Sequence, residues 1–474
     1  MPKRNIIWTL AIVAAGVVTV LVTRPAPPPE KHPVPPVARA YQKIRDGWYF
    51  PPDGTALQQA AVRGMVGQLD EFSSYVAPDR IARFHARLDG RATCVGLLVE
   101  RLADGVEIIG ALPGSPAHQA GIGPGGRLIS VDERRVADLT AEGLRELLEG
   151  PGAGKVHLAV VDPAGRTQSY DLTRKTFRLE TVTGVRRKRK GQWDCLLDPA
   201  TGIACVRVKE FVHTTVEHLR QALRELGGPH GIVLDLRDNP GGRIEVGYAV
   251  ANLFLRKGVI FTRVDRAGRR RPFPARSAGT HRPVPMVVLI NERTASAAEM
   301  VAGALRLHDR AVLVGTRTCG KGLVQSMISL PGGLGQINLT TAEFLVGTSQ
   351  RIRRSPEGDT GGVEPHRRID LTAAEDKARR RFWADTEVMP GPQPTATTPA
   401  TAPTTAPATR PADRALRADR QLAEAARLLA ADGEIRALLD EARAERLRRQ
   451  EQSTRRASSR PSQDANGAEG AGRE

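Results

Sequence analysis

The chain has 474 residues, enough for two or three domains, and an apolar fraction of 40%, enough to fill their cores, although aromatics are only 4%. The formal net charge of +18 is spread over the whole chain, tails included, and no nucleic-acid-binding module accompanies it, so no specific nucleic-acid partner is expected. Cys94, Cys195, Cys205 and Cys319 form no C-x-x-C pair and have no histidine partners at zinc spacing, so no metal site is expected either.

At the N-terminus, Pro2-Lys3-Arg4 precede a 17-residue apolar run from Ile6 to Val22. As a helix it is about 26 Å long, against about 30 Å of bilayer hydrocarbon. No clean small-x-small cleavage site follows, so residues 1–23 read as an uncleaved single-pass anchor rather than a removed signal. Lys3 and Arg4 would keep the N-terminus in the cytoplasm and send the rest across. Residues 24–40, proline-rich from Pro25 to Pro36, predict a stiff extended spacer. Residues 41–89 predict short helices, with helical apolar spacing from Ala56 to Val66. Within Leu69–Val76, Phe72 and Tyr75 are expected to dock into a core.

Residues 90–175 predict a small β-rich domain with two helices. Cys94-Val95-Gly96-Leu97-Leu98-Val99 is a glycine turn running into a strand, and Asp104-Gly105 is a hairpin turn. Gly114–Ile122 holds a short helix with Ser115 as N-cap, Pro116 at its first position and Gly121 closing it. Gly125-Gly126 turns into a strand, and a second helix is expected from Leu139 to Glu149.

From 176 to 385, strand and helix patterns alternate, which argues for a mixed α/β core built on a parallel sheet with helices on its faces. Functional residues then gather at the C-terminal ends of the strands. Arg186-Arg187-Lys188-Arg189-Lys190 lies between two strand patterns and reads as an exposed basic hairpin. Cys195 and Cys205 flank another hairpin pattern. They can bridge in an oxidising compartment or remain two small buried thiols. Gly231–Gly242 reads as a buried strand ending in a glycine-rich turn, Pro240-Gly241-Gly242, where backbone N–H groups can approach a substrate.

The apolar strand Met286–Ile290 leads through Asn291-Glu292-Arg293-Thr294-Ala295-Ser296 into a helix, so Ser296 stands at a strand-to-helix corner. A hydroxyl there lies beside free backbone N–H groups and the positive end of the helix, which a nucleophile that generates an oxyanion requires. Ser296-x-x-Glu299 is also a capping box, in which the serine commonly does no more than cap its helix. Downstream, the strand Ala311–Gly315 leads to Thr318-Cys319-Gly320-Lys321-Gly322-Leu323-Val324-Gln325. A buried lysine loses much of its preference for charge and can act as a general base, with burial and neighbouring arginines both expected to lower its pKa. Gln325 can hold the amine if the segment coils, and Cys319 could make the site thiol-sensitive. Among His213, His218, His230, His281 and His308, none has an evident triad partner, and His308 is expected to face away from Ser296.

Residues 386–412 are a Pro/Thr/Ala-rich linker. Helical spacing returns over 413–451, with Leu422, Ala426 and Leu429 before an interruption at Asp432-Gly433 and Ile435, Leu438, Leu439 and Ala442 after it. This segment reads either as a partner-binding or dimerising helix pair, hence a homo-oligomer, or as a lone solvated helix. Residues 452–474 read as disordered by composition.

Together, Gly231–Gly242, Asn291–Met300 and Thr318–Gln325 resemble the carboxyl-terminal processing peptidases, serine peptidases with a PDZ domain and a Ser/Lys dyad. The resemblance spans about residues 41–372 and extends to Asp70-x-x-Ser73-x-Tyr75 and to Gly362-Val363-Glu364-Pro365-His366. It departs at Cys319, usually aromatic; at Ala298, commonly serine; at Gly126, usually acidic; and at His366, usually aspartate. The resemblance implies Ser296 as nucleophile, Lys321 as general base, Gln325 as its orienter, and the N–H groups of Gly241 and Ala297 as oxyanion hole. It implies that Val95, Gly96, Leu97 and Leu98 hold a peptide carboxylate while the tail adds as a strand. No metal or organic cofactor is implied. The function that follows is a membrane-anchored serine endopeptidase acting on proteins or peptides with exposed C-termini. It would sit in the bacterial inner membrane with its catalytic part on the periplasmic side. An inactive PDZ-type scaffold is the alternative, against which the intact Ser296, Lys321 and Gln325 set argues. A membrane-tethered basic adaptor is a third reading.

Overall fold

A computed structural model describes residues 34–102, 105–112, 114–150, 154–188, 192–277, 281, 283–355, 361–387, 411–431 and 433–458. The expected anchor over 1–23 lies outside them. Among the described residues no helix is long and apolar enough to cross a membrane. The chain divides into two units, up to Met65 and from Val66 onward. The first contains α1 (Val34–Gly47) and most of α2 (Gly54–Val66). Pro35 and Pro36 therefore belong to the first turn of a helix, where a missing N–H costs nothing, and not to an extended spacer.

The second unit opens with β1 (Ser74–Val76) and α3 (Pro78–Leu88). The Asp70 carboxylate accepts from the N–H groups of Phe72 and Ser73, which turns the chain out of helix and lets β1 join a distant strand. A β-rich domain follows: β2 (Arg91–Cys94), β3 (Leu97–Leu102), β4 (Gly105–Ala111), α4 (Pro116–Gln119), β5 (Arg127–Val131), β6 (Arg134–Arg135), α5 (Ala141–Leu148), β7 (Lys155–Val161), β8 (Thr167–Thr173) and β9 (Lys175–Arg178). Its sheet runs β3-β4-β5-β7-β8, and β2 pairs with β9 to tie its two ends together. Ser115 caps α4 by accepting from the His118 N–H at 3.1 Å, as expected from the Ser-Pro pattern. Val95, Val106, Ile108, Leu128 and Leu158 fill the core.

The α/β core contains β10 (Val182–Thr183), β11 (Arg186–Arg187), β12 (Trp193–Asp194), β13 (Leu196–Asp198), β14 (Ile203–Val208), α6 (Thr215–Glu225), β15 (Gly231–Asp235), α7 (Ile244–Asn252), β16 (Val259–Asp265), β17 (Arg270–Pro274), β18 (Met286–Ile290), α8 (Ala297–Leu307), β19 (Val312–Gly315), β20 (Leu323–Ser329), β21 (Gln336–Val346), β22 (Gln350–Arg351), β23 (Arg367–Arg368), α9 (Ala373–Glu387), α10 (Pro411–Ala418), α11 (Arg420–Ala430) and α12 (Glu434–Ser458). The main sheet runs β10-β14-β15-β18-β19-β23 and is parallel from β14 to β23. Its strands are continuous apolar runs because both faces are covered. Ala204, Val206, Ile232, Leu234, Val288 and Ile290 face α6, α7 and α8. Ile203, Cys205, Val233, Val287, Leu289 and Val314 face α9, α10 and α11. A second sheet, β1-β21-β16-β17 with β20 and β22 also on β21, packs beside it.

Cys195 and Cys205 are neighbours through a backbone hydrogen bond of 2.8 Å, yet their side chains belong to clusters on opposite faces of the main sheet. Both are free buried thiols. Arg186 and Arg187 of the basic stretch pair with Asp194 and Trp193 as the β11–β12 hairpin and are half-buried rather than exposed; Arg189 and Lys190 lie outside the described residues. Within the C-terminal helical segment α11 is not a solvated helix, whereas α12 has no buried residue among those described. Leu422, Ala425 and Leu428 of α11 are buried in the core, and α12 extends through Gln452 to Ser458, where composition suggested disorder.

Candidate active site

Loops 236–243, 291–296 and 316–322 leave the C-terminal ends of the adjacent strands β15, β18 and β19. Backbone bonds fasten them to one another. The Ala295 N–H donates to the Asn239 carbonyl at 2.9 Å, and the Cys319 N–H donates to the Thr294 carbonyl at 2.9 Å. The buried Thr294 hydroxyl donates to the Leu236 carbonyl at 2.9 Å.

Ser296 ends the middle loop with φ +56° and ψ −122°, a conformation that persists only where the surroundings hold it. The next N–H, that of Ala297, opens α8 and has no intrahelical acceptor. The glycine turn lies against this corner: a Cβ on Gly241 would stand 2.7 Å from the Ser296 Cβ. The Gly241 N–H, expected as the second oxyanion donor, donates instead to Asn239 Oδ1 at 2.8 Å. Gly242 has φ +130°, and its bridge to Phe211 uses the Gly241 carbonyl and the Arg243 N–H. Among the described residues the Gly242 N–H has no acceptor, and Gly242 lines the Ser296 cavity.

Glu299, fully buried, joins the serine corner to the lysine loop. Its Oε2 accepts from the N–H groups of Ser296 (2.8 Å) and Lys321 (3.0 Å), and its Oε1 from the Gly320 N–H and the Thr318 hydroxyl (2.6 Å each). Burial raises its pKa above the usual carboxylate value, and these donors oppose the rise.

Lys321 is half-buried, with Nζ 4.7 Å from the centroid of the Phe72 ring. Its pKa falls below the ordinary 10.5 because of burial. The strongest charges acting on it, Cys319, Glu299, Asp70 and Glu71, act the other way, and none of them is the arginine expected to lower it. The segment from Leu323 is strand, not coil. Gln325 donates its amide to the Thr340 hydroxyl at 3.1 Å and makes no hydrogen bond to Lys321 Nζ. Burial pushes the Cys319 thiol up, away from the reactive thiolate, so the expected thiol sensitivity has no support.

Ser296, Lys321, Gln325, Pro240 and Gly242 line one cavity of about 710 Å³, and no histidine is among its described lining residues. His308 faces away from it, paired with the Val259 carbonyl at 2.8 Å. His366 is a half-buried neutral imidazole held down to about 3 by burial, first, and by Arg306 and Arg446; it accepts from the Leu313 N–H at 2.9 Å. The expected carboxylate loop, Val95 to Leu98, lies at the mouth of β3. Gly96, Leu97 and Leu98 line a second cavity of about 880 Å³ whose far wall is Asp238 and Pro240 of the glycine turn. Gly96 has φ +77°, and a Cβ there would stand 2.2 Å from the Ser115 Cβ. Two residues at the site were read otherwise from sequence. Glu299 looked like a helix cap and Phe72 like core. The capping box signalled the first; nothing local signals the second.

A serine on a strained corner, a half-buried lysine and a glycine turn, all at the ends of parallel strands beside a carboxylate-loop domain, define a class: α/β serine peptidases that carry a PDZ domain. Residues 202–369 match peptidase family S41, and residues 107–162 match the PDZ domain. The chain is 33% identical over 291 residues to a carboxyl-terminal-processing protease of Synechocystis sp., covering 60% of this chain and 66% of that one. It is 31% identical over 329 residues to a chloroplastic C-terminal processing peptidase of Tetradesmus obliquus, covering 65% and 70%. It thus spans about two thirds of the length of these relatives. Among solved structures, a photosystem II D1 C-terminal processing protease aligns with TM-score 0.42 and 27% identity, over 70% of this chain and 92% of that one. The chain belongs to the carboxyl-terminal processing peptidases of family S41, and is a serine peptidase.

Proposed function

We propose that this peptidase is tethered to the bacterial inner membrane by residues 1–23, faces the periplasm, and cleaves proteins whose C-terminal tails its PDZ domain captures. Ser296 Oγ attacks a peptide carbonyl while neutral Lys321 Nζ takes its proton. The N–H groups of Ala297 and Gly242 receive the oxyanion. The scissile C–N bond breaks as Lys321 returns the proton to the leaving amine. Water then adds to the Ser296 ester, giving up its proton to Lys321, and the serine hydroxyl is restored. Gln325 lines the same cavity and would orient Lys321 once its amide leaves Thr340.

The observation that carries this reading is the shared Glu299 carboxylate, which holds the N–H groups of Ser296 and Lys321 on one oxygen at the wall of one cavity. The test is incubation of the full-length chain with an unstructured protein, followed by mass spectrometry of the products. Ser296→Ala and Lys321→Ala should each abolish cleavage while the folded state persists, and Gln325→Ala should leave a remainder. Near-wild-type turnover in Lys321→Ala would remove the dyad, and no cleavage by the wild type would favour the scaffold.

A further inference from the structure

One wall of the Ser296 cavity is a charged and apolar checkerboard with no role in the chemistry above. It is the β16–β17 hairpin. In its register Phe261 faces Phe273, and Arg263 faces Arg271. All four side chains line the cavity. The two rings stack at 4.3 Å with planes 5° apart, and the Arg271 guanidinium lies 5.2 Å from the Phe273 centroid. Like charges directly opposite on neighbouring strands destabilise a sheet, so the arginine pair is held against its own repulsion. Among the described residues neither arginine has a carboxylate partner, and Arg263 Nε is buried without an acceptor. Glu245 is the only carboxylate among the described residues of that lining, against Arg243, Arg263, Arg271, Arg276 and Lys321.

Such a wall is complementary to an extended peptide. Alternate side chains of a strand share a face and stand about 6.8 Å apart, the same step that separates Phe261 from Arg263. A substrate strand that sets an apolar side chain on the phenylalanine pair therefore brings the side chain two residues away onto the arginine pair. A carboxylate there would give the paired Arg263 and Arg271 guanidinium groups the anionic partner they lack and relieve the cross-strand repulsion. Resting on the peptidase reading, we propose that the cleft selects segments in which an acidic residue stands two positions from the apolar residue held beside the scissile bond. This preference belongs to the cleavage site and is separate from capture of the tail.

The test uses the full-length protein and peptides with one common free C-terminus. They differ only in carrying Glu, Gln or Lys two positions before, or two positions after, the apolar residue. The Glu peptide of one of the two sets should exceed its Gln counterpart about tenfold in kcat/KM, with Lys lowest, as a charge-assisted hydrogen bond implies. Arg263→Gln and the exposed Arg271→Gln should each bring the Glu/Gln ratio toward one. That ratio is internal to each variant, so a general loss of activity leaves it readable. Equal kcat/KM for Glu, Gln and Lys, with cleavage present in the wild type and absent in Ser296→Ala, would overturn the selectivity while the peptidase stands. Should the wild type cleave none of them, the peptidase reading fails, and fluorescence anisotropy of the same peptides on Ser296→Ala decides: tighter binding of Glu supports the proposal, and no ranking overturns it.

Discussion

Four donors converge on the Glu299 carboxylate, and two of them are the N–H groups of Ser296 and Lys321. Glutamine there would turn an NH2 group toward donors that need an acceptor, at about 1–3 kcal/mol for each buried group left unpaired. Glu299→Gln should therefore lower kcat at least tenfold with KM little changed, and lower the melting temperature; wild-type kcat in this variant would show that the carboxylate only caps α8. Lys321 supplies the second residue-scale expectation. The base must be neutral, so kcat/KM should rise with pH along a single limb whose midpoint lies below the ordinary lysine value of 10.5, since burial lowers it. Glu71 is among the groups that hold the pKa up, and it is exposed, so Glu71→Gln should move the limb to lower pH. A limb that follows imidazole and survives Lys321→Ala would refute the lysine base.

At the scale of elements, α11 lies beyond a low-complexity linker and outside the family match of 202–369, yet it is wired to the loop that carries the glycine turn. Asp419, its N-cap, accepts from Arg237 at 2.6 and 2.8 Å, and Gln421 accepts from the same guanidinium at 3.0 Å. Arg237 precedes Asp238-Asn239-Pro240 and is wholly buried; burial disfavours its charge, but Asp235 and Asp419 more than restore it. Removing one partner of such a pair costs about 3–5 kcal/mol. Asp419→Ala should thus lower the unfolding free energy by that amount, read as a lower denaturation midpoint, and reduce cleavage, although Asp419 lines neither cavity; unchanged stability would show that the pair is not structural. This is also where sequence reading ran short. Strand and helix alternation, the Ser-Pro cap at Ser115 and the corner at Ser296 are local patterns, and all were legible. The α11 stripe was visible as well, but an amphipathic helix does not state what it covers. An arginine after a buried strand does not announce a partner 182 residues away. The coil expected from Lys321 to Gln325 failed for a related reason: the four-residue spacing suits a helix, and pairing with β21 made the segment a strand.

For the whole molecule, the decisive geometry is that two cavities share a wall. Gly96, Leu97 and Leu98 line one, Ser296 and Lys321 line the other, and Pro240 borders both. Helix α9 braces this junction: Arg380 pairs with Glu100 on β3 at 2.5 Å, while the buried Arg379 holds Asp238 at 2.8 Å. On the proposed reading, a tail added as a strand along β3 would lie next to the turn that carries Gly242, one of the two proposed oxyanion donors, and capture and chemistry would remain separable. Amidating the C-terminus of a peptide removes the charge that the loop N–H groups would hold but leaves the scissile bond untouched. A charge-assisted hydrogen bond of about 1.5–3 kcal/mol then appears as binding alone. KM should rise about tenfold or more with kcat nearly constant, because the interaction is made equally in ground and transition states. Gly96→Ala, which forces a Cβ into Ser115, should raise KM for the free acid and shrink the difference between acid and amide. Equal KM values for acid and amide in the wild type would show that this groove does not read a terminal carboxylate; a fall in kcat with KM unchanged would place the carboxylate's effect in the chemistry at Ser296 instead.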